Sequence, residues 1–399
     1  LQNQSYKNLE IIVVDDCSTD NTVEIVKNIG ETDNRIKLLN TDSNGGPYIA
    51  RNMALSQATG EFVTCMDSDD WAHCHRIGLQ VEQLMSNQAV IGNVTKLVRV
   101  TNELNFFRRG NAGFYIQMNI SSLMFRREIV TQKIGYWDSI RLGADMEFFS
   151  RLKAAFGHDS VQEISDIPLL FARSQEGTLT EDSIMGFSGY LMGVRREYFD
   201  SFNFYLSKKN TLKFKFPQTK RPFPIPRMLE AESKKDIVYE IILATDFQED
   251  EEIISHVVKR FGPKTRKSIN IGYIQMERYS VQTSRSKATK YALIEKYKLD
   301  SLVYGDVIKC KKLIIINQEV IQEKQKYLPQ VMAHDITVIL KSSNRESVNQ
   351  NILKICEKNI ADYFKGKLSW MLYDETIPKG DIELRKDVFS KLSLEPPKS

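Results

Sequence analysis

Apolar residues fall into short continuous runs separated by stretches of helical period. Glu10–Val14 (EIIVV) is such a run bounded by charge, as a strand buried on both faces requires. It stops at Asp15 and Asp16. CSTDNTVEIVKNI follows, where Asn21 with Glu24 three residues later predicts a helix start. Arg35–Leu39 reads as a second strand and TDSNGGP as a loop. A helix is expected from about Tyr48 to near Gly60, a residue suited to cap its C-terminus, and Glu61–Met66 is the next strand. This alternation predicts an α/β fold with a mostly parallel sheet covered by helices.

The pattern changes after Phe204. From Lys208 to Lys235 nine Lys/Arg stand against two Glu, together with four of the eleven prolines (Pro217, Pro222, Pro224, Pro226). Proline at this density excludes regular structure, so residues 206–235 read as an extended basic linker. Its charge is either solvated or a strip that meets anionic lipid or a phosphorylated acceptor. From Asp236 the alternation resumes with DIVYEIILATDF, a helix near Glu251–Arg260, SINIGYIQM, a helix near Ser284–Tyr297, then KKLIIIN and ITVIL. The expected organisation is an α/β domain over 1–205, the linker, a second, smaller α/β domain over 236–375 and a tail over 376–399.

Composition adjusts this picture only slightly. A chain of 399 residues suits two or three domains, and 42% hydrophobic with 27% charged residues is ordinary for a soluble protein. A net charge of +4 gives no footing for nucleic acid, which is not expected as a partner. The five cysteines are scattered, odd in number and form no CxxC pair. They read as reduced thiols of a cytoplasmic protein rather than a disulfide framework or a zinc site. No apolar run is long enough to cross a bilayer, and no signal peptide opens the chain. The chain begins at Leu1, which reads as a piece of something longer.

Ligands of open α/β sheets bind at the carboxyl ends of strands, and two strands place acids there. Asp15 and Asp16 follow EIIVV, and Asp67, Asp69 and Asp70 follow EFVTCM. Carboxylates crowded this closely repel unless something positive lies among them. Side chains at i and i+2 can both reach a hard cation, and oxygen donors favour Mg or Mn over zinc. The plainer reading is an aspartate-rich turn that caps itself. Trp71 is either a packing residue or a sugar platform, and Trp137 reads as packing. His73 and His75 beside Cys74 read as surface positions, since a hard-cation site does not recruit them. Arg126 and Arg127 read as solvated helix-end charges, with phosphate contact the alternative.

VVDDCSTDNT, NGGPYIARN and ATGEFVTCMDSDDW, in this order and spacing, resemble the nucleotide-sugar-binding half of family 2 glycosyltransferases, which have the GT-A fold. The likeness extends through SSLMFRREIVTQKIGYWDSIRLGADMEFFSRL and covers roughly the first 160 to 200 residues. It implies a GT-A domain with a mixed, mostly parallel sheet. It also implies that Asp15 and Asp16 contact the base, Arg51 helps hold the nucleotide, and Asp67 contacts the ribose. Asp69, with Asp67, would coordinate Mn or Mg on the diphosphate, supported by Asp70. Gly45 and Gly46 would let the backbone turn close to the donor. Asp145 in GADME takes the place of the catalytic base, with Glu147 a second acid nearby, although either could merely cap a helix. The activity implied is inverting, metal-dependent transfer of a hexose from a nucleotide-diphosphate donor to a glycan or lipid-linked glycan hydroxyl. Surface-polysaccharide synthesis and peripheral contact with the inner face of the membrane would follow.

Three departures bear on this. The family's first strand, which precedes the region matching LQNQSYKNLE, is not in the chain. Cys17 replaces the usual glycine after the paired aspartates, and cysteine adopts positive φ less freely, so an altered turn is expected. SLVYGDVIKCKKLIIINQEVI…YLPQV gives the second domain a fainter resemblance to a Rossmann-like half of GT-B glycosyltransferases, yet DFQEDEE after its first strand would repel phosphate. That domain reads as an acceptor-binding or scaffolding module. Rival readings of the whole are a nucleotidyltransferase and a non-catalytic glycan-binding or assembly subunit.

Overall fold

The computed structural model describes residues 1–108, 114–174, 182, 184–186, 193–208, 211–230, 237–249, 251–261, 270–278, 287–341 and 349–373. The chain forms two compact units. One comprises residues 1–187, 205–222 and 229–232, the other residues 188–204, 223–228 and 233–399. No helix among the described residues is long and apolar enough to cross a membrane.

In chain order the first unit holds β1 (Ile11–Asp15), α1 (Thr22–Thr32), β2 (Ile36–Asn40), α2 (Pro47–Gln57), β3 (Phe62–Val63), β4 (Trp71–Ala72), α3 (Arg76–Ser86), β5 (Gly92–Val100), β6 (Phe106–Phe107), β7 (Gln117–Arg126), α4 (Arg127–Lys133), α5 (Ala144–Phe156) and β8 (Val161–Arg173). β1 and β2 pair in parallel, as the alternation predicted. A two-stranded sheet is marginal alone. Glu10 fastens this one, taking Lys37 of β2 at 2.5 Å and the Thr59 N–H beyond α2 at 2.9 Å. The edge of β1 away from β2 carries no strand among the described residues. Asn21 precedes α1 without capping it. Asp20 does that work, accepting the Thr22 N–H and hydroxyl.

The strand predicted at 61–66 shrinks to β3 and joins a different, mixed sheet in the order β3–β7–β5–β8–β4, with β6 on β5. Only β5–β8 is parallel there; β3, β4 and β6 each pair antiparallel. The motif pattern gave the strand's place but not its partner, because β7 lies some sixty residues further on. α3 packs on this sheet through Ile77, Val81 and Leu84, a helical spacing, against Val90 and Met124. Trp137 is buried and stacked on Phe148 at 4.5 Å, a packing residue as expected.

The proline-rich segment behaves differently from a free linker. Its Phe214, Phe223, Ile225 and Leu229 are buried, and its residues are divided between the two units. Phe214 bridges to Gly135, whose φ is +73° and whose absent Cβ would overlap the Phe214 carbonyl. Only glycine tolerates both demands. Aromatic residues interleaved with the prolines supply burial that the proline count conceals.

The second unit contains most of α6 (Val194–Ser207), then β9 (Val238–Thr245), α7 (Glu251–Phe261), β10 (Ile271–Gln275), α8 (Lys287–Tyr297), β11 (Asp300–Ser301), β12 (Val307–Ile316), α9 (Glu319–Gln322), β13 (Gln330–Lys341), α10 (Gln350–Tyr363) and β14 (Phe364–Tyr373). The sheet is wholly parallel in the order β11–β10–β9–β12–β13–β14, a doubly wound arrangement that reverses between β9 and β12. Leu313, Ile315 and Val338 face one buried cluster, while Ile314, Ile316 and Ile339 face another. Such continuous apolar strands belong to sheets covered on both sides. At the reversal Thr245 Oγ1 donates to the Ile316 carbonyl at 2.9 Å, and Asp246 is buried where a glycine-rich loop would stand. The predicted tail at 376–399 and the start of the helix expected from Ser284 lie outside the described residues.

Candidate active site

One arginine gathers acids from distant stretches. Arg51, on α2, donates from Nη1 to Asp145 Oδ1 at 2.5 Å and from Nη2 to Asp67 Oδ1 at 2.7 Å. Asp145 lies in the first turn of α5, 94 positions away. Tyr48, one turn before Arg51 on the same helix face, donates its hydroxyl to Asp145 Oδ2 at 2.9 Å, and Ser121 of β7 donates to the same oxygen at 3.2 Å. Burial, and then the Asp145 charge, hold the Tyr48 phenol well above its usual pKa, so it stays a donor. Both terminal nitrogens of Arg51 are thus engaged by acids, where the resemblance assigned it to the nucleotide. It is a positive group among the crowded aspartates.

Arg76 is a second. It is fully buried at the start of α3, its terminal nitrogens reach the Cys65 carbonyl at 3.3 Å, and its Nε has no hydrogen-bond partner. Burial lowers its pKa to about 10, so it remains a cation at neutral pH. Even so, burial and then the Asp67 charge push the Asp70 carboxyl up to about 7. Asp70 accepts the Arg173 N–H at 3.0 Å, while Asp69 is exposed. Asp67 and Asp70 thus repel within the turn, and its exposed side chains, Ser68 and Asp69, offer only oxygen donors. Both features fit Mg or Mn. No group of three His, Cys, Asp or Glu converges among the described residues. Mg typically takes one or two carboxylates and completes its shell with phosphate and water, which this arrangement allows.

The paired acids after β1 have different surroundings. Asp15 is buried; Oδ2 accepts the Ser18 N–H at 3.2 Å, and Oδ1 has no partner. A buried carboxylate oxygen without a donor is costly and fits a ligand N–H. Asp16, expected at the base, is directed to the following loop instead. Its oxygens take Thr41 Oγ1 at 2.8 Å and the N–H groups of Gly45 and Gly46 at 3.0 and 2.7 Å. Gly46 has φ +86°, and a Cβ there would sit 3.1 Å from the Arg141 backbone, so the close approach requiring glycine is to Arg141. Cys17 takes φ +64°, so the turn expected to change keeps a left-handed residue.

Glu147 does not join Asp145. Two residues along α5 it faces the core, fully buried, and both its oxygens bind Arg151, at 2.7 and 3.0 Å. It is a structural ion-pair partner, because the helix turns consecutive acids about a hundred degrees apart per residue. Arg126 is buried and Arg127 half-buried, and both spend guanidinium donors on backbone carbonyls. Arg126 donates to the Val90 carbonyl at 3.0 Å and Arg127 to that of Gly60 at 2.6 Å. Trp71 is 55% exposed with the half-buried His73 edge-on to it at 6.2 Å, and His75 is exposed. Sequence reasoning missed Tyr48, Ser121 and Arg76. Tyr48 could have been found as the residue one helical turn from Arg51; nothing in the sequence marks Arg76.

Residues 1–139 match the model of glycosyl transferase family 2. An uncharacterised glycosyltransferase of Haemophilus influenzae is 35% identical over 141 residues, 32% of this chain and 54% of that protein. The GalNAc(5)-diNAcBac-PP-undecaprenol beta-1,3-glucosyltransferase of Campylobacter jejuni is 51% identical over 71 residues, 18% of this chain and 23% of that protein. The chain thus spans about half, or less, of these relatives. Among solved structures, Staphylococcus aureus TarS 1–349 in complex with UDP-GlcNAc overlaps 52% of this chain and 59% of that one, at 21% identity and a TM-score of 0.38. An overlap this partial sets no residue-by-residue equivalence.

Proposed function

We propose that the chain, whose residues 1–139 match the model of glycosyl transferase family 2, transfers a hexose from a nucleotide-diphosphate sugar to a glycan hydroxyl, with inversion. The observation that carries the reading is the Arg51 bridge, which draws Asp67 of the acid turn and Asp145 of the GADME segment to one guanidinium. Asp145 acts as the base. A carboxylate has about four lone-pair positions, and the donors Arg51, Tyr48 and Ser121 occupy three. The acceptor hydroxyl takes the remaining one. Its oxygen attacks the anomeric carbon, its proton passes to Asp145, and the bond to the diphosphate oxygen breaks with the electron pair leaving on the diphosphate. Asp69 and Asp67 would hold a divalent cation, Mn or Mg, which when bound would neutralise that departing charge. Asp15 Oδ1 receives a base N–H, Asp67 borders the ribose, and Asp70 supports the turn. Asp16 and Gly46 shape the loop beside them.

Lipid-linked glycan is the favoured acceptor class, since the Campylobacter relative is named for one. Work at the inner face of the membrane, in surface-polysaccharide assembly, follows from such an acceptor. The test is donor consumption across a panel of nucleotide sugars, with Asp145→Asn as the control. Removing a general base costs about 10²–10⁴-fold in turnover, and the account expects that loss with nucleotide affinity unchanged. Turnover equal to wild type in Asp145→Asn would remove Asp145 from the chemistry.

A further inference from the structure

The first unit carries apolar surface that neither its core nor the acid turn explains. β8 lies between β4 and β5, and the register sets Phe171 opposite Trp71 on one side and Val98 on the other. Paired residues share a sheet face. Two residues beyond Val98, Val100 opposes Phe106 of β6. The Phe171 ring therefore meets Trp71 at 5.2 Å and Phe106, edge-on, at 5.8 Å. Val98, Phe106, Tyr115, Pro168 and Phe171 line an open cleft of about 550 Å³, within the range of small-molecule sites. Trp71, Phe106 and Tyr115 are each about half exposed, and Ile116, Met118 and Ile167 are exposed as well. Soluble monomers rarely leave such surface uncovered without a partner for it.

The lining decides between ligand classes. A sugar needs hydrogen-bond partners as well as an aromatic face, because its hydroxyls lose water on binding. Among the described lining residues the only polar side-chain tip is the Tyr115 hydroxyl; a hydrocarbon needs none. Position decides the rest. Trp71 directly follows Asp70, whose carboxylate accepts the N–H of Arg173, two residues along β8 from Phe171. The cleft thus adjoins the acid turn through both strands. Arg108 stands over the Tyr115 ring at 5.6 Å and supplies positive charge beside it.

We propose that this cleft binds the hydrocarbon chain of an amphipathic acceptor whose polar head carries the sugar hydroxyl. The proposal rests on the transferase reading above and names the acceptor chemistry for it. Trp71 is the exposed tryptophan, whereas Trp137 and Trp370 are buried, so its fluorescence reports on the cleft. Farnesyl diphosphate below its aggregation concentration, inorganic pyrophosphate and methyl glucoside are each titrated into the full chain, and nucleoside diphosphates are titrated in parallel by calorimetry. A saturable response to farnesyl diphosphate alone is expected. Phe106→Ser and Tyr115→Ser, both at exposed positions and checked for folding by circular dichroism, should each weaken it about tenfold or more without changing nucleotide affinity. An equal response to pyrophosphate or methyl glucoside, or unchanged farnesyl affinity in both folded variants, overturns the proposal. So does self-association that the variants abolish without any farnesyl response, which would make this face a contact between copies. Nucleotide binding with no farnesyl response overturns the cleft and leaves the transferase reading standing. A farnesyl response with no nucleotide binding overturns that reading, and the acceptor role with it.

Discussion

Arg51 holds two acids that would otherwise repel, and this single contact shows what could and could not be read from residues alone. The ARN segment marked Arg51, and GADME marked Asp145. Nothing in their spacing reveals that one binds the other, because that depends on where α5 meets α2. Glu147 shows the converse: two positions from Asp145 it looked equally chemical, and the helix turns it into the core. Glu147→Gln is expected to leave Arg151 a buried, uncompensated charge and to lower stability by about 3–5 kcal/mol. Urea unfolding measures the loss, and nucleotide affinity of the folded protein should not change. Cys17 offers a gain instead. A non-glycine residue in the left-handed region costs about 1–2 kcal/mol, partly offset by the roughly 0.5–1 kcal/mol of backbone entropy that glycine loses on folding. Cys17→Gly should therefore stabilise the protein by about 0.5–1 kcal/mol in the same measurement.

At the scale of elements, strands announced by continuous apolar runs were legible, and their pairing was less so. EIIVV and RIKLL pair in parallel as read, while EFVTCM gives only a two-residue strand that β7 takes up antiparallel. Long-range pairing of this kind leaves no local trace. In the second unit the runs are buried on both faces and alternation marked an α/β unit, while the order of its strands, reversing between β9 and β12, left no trace in the sequence. The thiols of β12 and α10 report on that burial. Burial pushes Cys310 and Cys356 from the usual 9.0 up to about 12, whereas Cys17 and Cys74 are exposed. Alkylation followed by mass spectrometry at pH 8 should label Cys17 and Cys74 first and spare Cys310 and Cys356 until denaturant is added. The sign for stability follows. Between pH 9 and about 12 the unfolded chain loses these two protons while the folded chain keeps them, so stability falls as pH rises through that window.

At the scale of the whole molecule, two α/β units are present, and the family match and the gathered acids both lie in the first. In the aspartate turn there, burial and then the Asp67 charge push the Asp70 carboxyl up to about 7, and Asp69 is exposed beside it, an arrangement that fits a bound cation. The direct measurement is calorimetric titration of UDP, GDP and dTDP into the full chain, with Mn(II) and with chelator, on wild type and on Asp69→Ala. The account predicts that at least one nucleotide binds with Mn(II), that chelator abolishes the binding, and that Asp69→Ala weakens it about tenfold or more. Binding of none of them with Mn(II), or binding equally strong in chelator and in Asp69→Ala, would contradict it.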